Sequence, residues 1–171
     1  MNRLRRNIAG GFLSVPTGGF TLIVVVAILW LTLARSPFGD TPMPHIPGLD
    51  KVVHACMFGG LTFVGELDCS RWRIKRRNLR GDAALVGWHL AAVIALASIA
   101  FGGAIELLQG AMHMGRGADW LDWLADAVGA AVAVVVSPPV VRWVLALKRE
   151  SLYFAFILRA RRCRRLLWFW R

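Results

Sequence analysis

Apolar residues gather into four long runs along the chain, and the polar segments between those runs differ in kind. The runs cover Phe20 to Ala34, Val52 to Leu67, Ala83 to Leu108, and about Asp119 to Ser137. A helix that crosses a bilayer needs about 20 mostly apolar residues. The third run has that length. The first two reach it only if their helices begin earlier, the second within Gly48-Leu49-Asp50-Lys51. Pro37, Pro42, Pro44 and Pro47 punctuate the first connection, which reads as a non-helical loop. Pro138-Pro139 follows the fourth run. Proline has no N–H and its ring crowds the preceding turn, so the fourth helix is expected to stop there. The pattern predicts an all-α membrane protein, a four-transmembrane-helix bundle.

Composition agrees with that class. Apolar types make up 57% of the 171 residues and mean hydropathy is +0.54, more than a soluble domain carries. Eight tryptophans and nine phenylalanines suit a chain with two membrane interfaces to anchor. A net charge of +11 raises the question of nucleic acid. The basic residues flank apolar runs and no recognition module is present, so no nucleic-acid partner is expected. Cys56, Cys69 and Cys163 lack metal-ligand spacing and read as free thiols. Arg3, Arg5 and Arg6 precede the first run in the manner of a signal peptide. That run is long and begins late, and Thr32-Leu33-Ala34 is a poor cleavage site, so it reads as a retained anchor.

Charge also orients the bundle. Three basic residues precede the first run, six lie between the second and third, and nine follow Ser137. Only Arg35, Lys51 and Arg116 belong to the other side. By the positive-inside rule both termini are cytoplasmic, and the Pro-rich loop and the Gly110–Ala118 loop face outward. Residues 1–19 then form a basic cytoplasmic segment, 20–137 the membrane domain, and 138–171 a basic, aromatic juxtamembrane tail. The tail is expected to lie amphipathically on the cytoplasmic leaflet, attracted to anionic lipid by about 1 kcal/mol per basic residue.

With that orientation the acids converge. Asp40, Asp50, Glu106, Asp119, Asp122 and Asp126, six of the ten acids, fall in the outer half. Asp50 and His54 share a helical face at i, i+4, and Glu106 and Gln109 share one at i, i+3. Asp119, Asp122 and Asp126 form a stripe that Gly129 and Ala133 continue. Asp126 lies about 10 Å along the helix from Asp119. An ionised aspartate at the centre of a span costs about 2.5–3.5 kcal/mol, so these groups need a wet cavity, cationic partners or protons. Arg116 and His54 are the expected partners. The spacing predicts a polar pocket opening outward between spans two, three and four. Glu66 reads as interfacial on the cytoplasmic side, and His89 as a packed helix residue.

These residues resemble the VanZ-like family of small membrane proteins. The resemblance rests on Asp50-Lys51-Val52-Val53-His54, then Glu106-Leu107-Leu108-Gln109, then Arg116, Asp122, Asp126 and Gly129, and covers roughly residues 20 to 137. Asp126 stands where the family often has Asn, Asp119 is an additional acid, and the basic tail lies outside the match. The resemblance implies a multi-pass protein of the bacterial inner (plasma) membrane, in a family whose namesake is associated with resistance to teicoplanin.

Two functions follow. In the first, the pocket binds or processes an envelope precursor, a lipid headgroup or a glycopeptide. His54, Glu106 and Asp122 are then the candidate catalytic residues. Glu106 and Asp122 serve as acid and base, and His54, paired with Asp50, shuttles protons. Asp50, Gln109, Arg116 and Asp126 are the candidate substrate-binding residues, with Arg116 holding a phosphate or carboxylate. His54, Glu106 and Asp122 have donor types that suit a divalent ion. No zinc motif such as HExxH is present, and no metal or other cofactor is assigned from the sequence. In the second reading the polar residues are an interhelical hydrogen-bond network in a scaffold or binding protein. Four short helices leave little room for a transport path unless an oligomer provides it.

Overall fold

The computed structural model describes residues 15–34, 47–77, 85–112 and 119–167, with side chains described as far as residue 143. Four helices make up the fold: α1 (Gly19–Leu33), α2 (Leu49–Arg77), α3 (Trp88–Met112) and α4 (Trp120–Leu167). Among the described residues there is no strand. The all-helical class expected from the apolar runs is therefore found.

Three helices, α2, α3 and the Trp120–Trp143 part of α4, are long and apolar enough to cross a membrane. At 15 residues α1 spans about 22 Å, short of the roughly 30 Å hydrocarbon core. It nonetheless packs into the same bundle, where Ile28 joins Phe58, Leu61 and Ile105 in the buried core. Leu22, Leu96, Leu107 and Val135 are more than three-fifths exposed. A soluble monomer rarely shows so much contiguous apolar surface, whereas lipid covers it at no cost. Exposed tryptophans sit at both ends of the bundle: Trp30, Trp120 and Trp123 at one, Trp72, Trp88 and Trp143 at the other. Two such belts are the expected interfacial anchors. The fold is that of an integral membrane protein.

The fourth helix does not end at the prolines. Its backbone stays helical through Pro138 and Pro139 as far as Leu167. Each proline removes one ladder hydrogen bond, those to the Val134 and Val135 carbonyls, yet the fixed φ of proline is itself helical. The Ser137 hydroxyl meanwhile donates to the Ala133 carbonyl at 2.6 Å, at the turn where the ladder thins. Serine side chains commonly support proline-bearing turns in this way within a span. At 48 residues α4 is about 72 Å long, so its part beyond Trp143 extends past any single bilayer crossing.

The most extensive contact in the bundle is between α2 and α4, and small residues make it possible. A Cβ placed on Gly129 would fall onto the Ala55 backbone carbonyl, and one on Gly59 would meet the Gly129 carbonyl at 3.0 Å. Ala55 and Gly59, like Gly129 and Ala133, are four apart, the small-xxx-small spacing that lets membrane helices touch backbone to backbone. The first helix is tied to α2 by a second device. Asp68 Oδ2 accepts from the Thr21 backbone N–H (3.0 Å) and hydroxyl (2.9 Å), capping the start of α1. Arg71 pairs with the other Asp68 oxygen, donates to the Val15 carbonyl at 2.9 Å and lies over the Phe20 ring. Between α1, α2 and α3 this leaves an apolar cleft of about 830 Å³ lined by Leu22, Val25, Ile94 and Phe101.

Glu66 is buried within the bundle. It is 2% exposed, and it interacts with Ser137 of α4. The long α2 carries it under α4 rather than to the helix end.

Gly129→Ala is expected to destabilise the protein by about 1–3 kcal/mol, because backbone on α2 cannot yield to a new methyl group. Gly60→Ala, with nothing within 4 Å of the added methyl, should be neutral or stabilising by a few tenths. Thermal unfolding of the two variants in detergent distinguishes them; equal melting points would contradict the close packing.

Candidate functional site

Three helix ends meet at one end of the bundle: the start of α2, the end of α3 and the start of α4. Helical spacing sets which side chains they bring together. Lys51 and His54 stand three apart on α2, Glu106 and Gln109 three apart on α3, and Asp122 and Asp126 four apart on α4. Asp119 immediately precedes α4 and acts as its cap. Its Oδ1 accepts the Leu121 N–H at 2.9 Å, and its carbonyl accepts the Asp122 and Trp123 N–H groups.

Lys51 is the hub of the exposed layer. Its ammonium donates to Asp50 Oδ2 (3.0 Å), Asp119 Oδ2 (3.1 Å) and Asp122 Oδ1 (3.0 Å), joining α2 to α4. Deeper in, His54 Nδ1 lies 3.0 Å from Asp126 Oδ1. With Asp126 ionised, the carboxylate only accepts and Nδ1 is the donor; Nε2 then faces Asp122 Oδ2, 3.9 Å away. Phe58 stacks beside the imidazole. Side-chain exposure falls from 58% at Asp50 to 16% at Asp122 and 1% at Asp126, so the acids form a graded series into the bundle.

Glu106 closes the α3–α4 connection. Its Oε2 accepts the Asp119 backbone N–H at 2.9 Å. Its Oε1 is buried without a hydrogen-bond partner among the described residues, as is Asp126 Oδ2. A Cβ on Gly102 would collide with Asp126 Oδ2, so the glycine is what makes room for that carboxylate against α3. Gln109 points elsewhere: its Nε2 donates to the Thr32 carbonyl at 2.9 Å, satisfying one of the free carbonyls at the end of α1. Gly103 likewise lets Trp123 lie against α3, where the indole N–H donates to the Ile99 carbonyl at 2.9 Å.

The expected residues are thus brought together in large part. His54, Glu106, Asp122 and Asp126 converge, Asp50 lies at the rim, and Gln109 serves α1. Arg116 and Asp40 lie outside the described residues. The pairing of His54 with Asp50 is not found. One helical turn of α2 aims His54 inward at Asp126, while Asp50 stays outside with Lys51. Sequence reasoning placed Lys51 within a motif and counted it as a charge on the far side, but gave it no role in the site. The signal was its i, i+3 spacing from His54, opposite an acidic stripe.

The fold and the site together define an integral membrane protein with an acid-rich polar cluster at one end of a helical bundle. No protein-family model, no curated protein and no solved structure matches the chain.

The Leu121 N–H, and after it the Lys51 ammonium, hold the Asp119 carboxyl below its usual 3.8. A folded pKa below the unfolded one contributes stability that is present above about pH 4 and lost as pH falls through the folded value. In Asp119→Asn the amide still caps but does not titrate. The difference in melting temperature between wild type and Asp119→Asn should therefore shrink as pH is lowered from about 6 to about 3. A gap that stays constant over that range would contradict the capping carboxylate.

Proposed function

We propose that the chain is a VanZ-like protein of the bacterial cell envelope, with both termini cytoplasmic and the polar cluster opening at the outer face. In this reading α1 completes a four-span domain, and the helical tail beyond Trp143 rests on anionic lipid of the inner leaflet. The cluster binds or processes an envelope intermediate, a lipid headgroup or a glycopeptide. His54, Glu106 and Asp122 are the acid–base groups, and Asp126 holds the imidazole. Asp50 and Asp119 at the rim meet the substrate first.

One observation carries the reading. Five carboxylates surround a single lysine and a single histidine among the described residues, and two of them keep a buried oxygen without a partner. A purely structural network would be expected to satisfy those oxygens, because an unsatisfied buried polar group costs about 1–3 kcal/mol. The surplus of acid favours the amine-bearing part of an envelope substrate over its phosphate. The ammonium of Lys51 among three carboxylates is a model for how such an amine would be held.

A scaffold remains the second reading, favoured by the bonds that bridge helices: Gln109 to Thr32, Glu106 to Asp119 and Lys51 to Asp122. Substitution separates the two. His54→Ala, Glu106→Gln and Asp122→Asn should each abolish teicoplanin tolerance conferred by the expressed protein, and membrane levels of the two amide variants should stay within about twofold of wild type, since isosteric amides perturb packing little. Tolerance retained by all three, or lost only in step with degradation, would overturn the proposal.

A further inference from the structure

We propose that His54, Glu106 and Asp122 hold a divalent transition-metal ion, with zinc as the reference ion. One ligand atom from each residue, an imidazole nitrogen and two carboxylate oxygens, lies within 4.8 Å of the others. Zinc binds such atoms at about 2.0–2.2 Å in a tetrahedral arrangement, which requires ligand atoms roughly 3.4 Å apart. His54 Nε2 and Asp122 Oδ2 are already 3.9 Å apart, so small side-chain rotations close the site. An imidazole with two carboxylates is a donor set suited to zinc and to manganese or iron.

The independent observation is Glu106. The residue is 6% exposed, and its Oε1 is buried with no hydrogen-bond partner among the described residues. That oxygen is open to a cation, and the described ammonium in the cluster, that of Lys51, is engaged at Asp50, Asp119 and Asp122. The surroundings fit as well. Metal-bound histidines usually donate their other ring N–H to a carboxylate, which fixes the tautomer. His54 does so to Asp126, leaving Nε2 for the ion. Asp126 is then a positioning residue. The neighbouring acidic triplet, Asp50, Asp119 and Asp122, is more exposed and already surrounds the Lys51 ammonium, so no ion is assigned to it. Three protein ligands leave a coordination position open, as catalytic zinc sites do.

The inference rests on the envelope reading and changes one part of it: with the ion bound, His54, Glu106 and Asp122 act as its ligands and not directly as acid and base; it is tested separately. The full chain, purified in detergent, is stripped with EDTA, incubated with equimolar zinc chloride, desalted and analysed for metal by mass spectrometry. Wild type and the control Glu66→Gln should retain about one zinc per chain. His54→Ala, Glu106→Gln and Asp122→Asn should each bind at least about tenfold more weakly, and Asp126→Asn about 10–100-fold more weakly. Wild-type protein that is monodisperse and helical but takes up no zinc overturns the site, whether or not any variant folds. Zinc bound equally by the three ligand variants overturns it too. Absent zinc with loss of tolerance in His54→Ala would remove the ion and leave the envelope reading. Bound zinc with tolerance indifferent to all three substitutions would do the reverse.

Discussion

A carboxylate inside an apolar helix bundle must find a partner, and that requirement organises one whole end of this molecule. Asp126 is 1% exposed on a helix whose other faces carry Val128, Val132 and Val135 outward. Water does not solvate it there, so the helices must bring a donor to it. His54 is that donor. Once α2 is held at α4 by this bond, Lys51 one turn away reaches the Asp119 cap, and Glu106 reaches the backbone at the start of α4. The polar layer thereby fixes the mutual height of α2, α3 and α4 along the bundle.

Close approach makes the bond geometrically available. Gly129 lies one turn beyond Asp126 and lets the α4 backbone touch α2 at Ala55, next to His54. Gly102 performs the matching service on α3, where anything larger would displace the Asp126 carboxylate. At the opposite end the same logic recurs with other residues. Asp68 and Arg71 form a buried pair, and Asp68 caps α1 from the side of α2. Breaking a buried pair of this kind typically costs about 3–5 kcal/mol, because it strands the surviving charge. Each end of the bundle therefore has its own polar lock, and the apolar middle only fills the space between them.

Much of this was legible in the chain before any coordinates. Run lengths gave helices near the right places, and the i, i+3 and i, i+7 spacing of Asp119, Asp122 and Asp126 marked the stripe on α4. Helical phase also put Glu106 and Gln109 on one face. What spacing within a helix does not reveal is which residue meets which across a gap. Asp50 was the nearer acid to His54 in sequence, but the partner is Asp126, because the rotation of α2 is set by its packing on Gly129. The fate of Pro138-Pro139 was hidden for a similar reason. Local chemistry favours a stop, while unwinding a helix within a membrane exposes more backbone than two prolines cost. Asp68 was invisible as a structural group because the apolar run of α2 ends at Leu67 while its helix goes on to Arg77.

The claim on which the rest depends is that His54 is organised by Asp126 from α4 and not by Asp50 on its own helix. A double-mutant cycle on unfolding free energy in detergent measures this directly. His54→Ala and Asp126→Ala, singly and together, should show a coupling of about 0.5–3 kcal/mol, and clearly more than His54→Ala with Asp50→Ala, which interact only through Lys51 and Asp122. Coupling that resides in the Asp50 cycle, with His54 and Asp126 additive, would contradict the account.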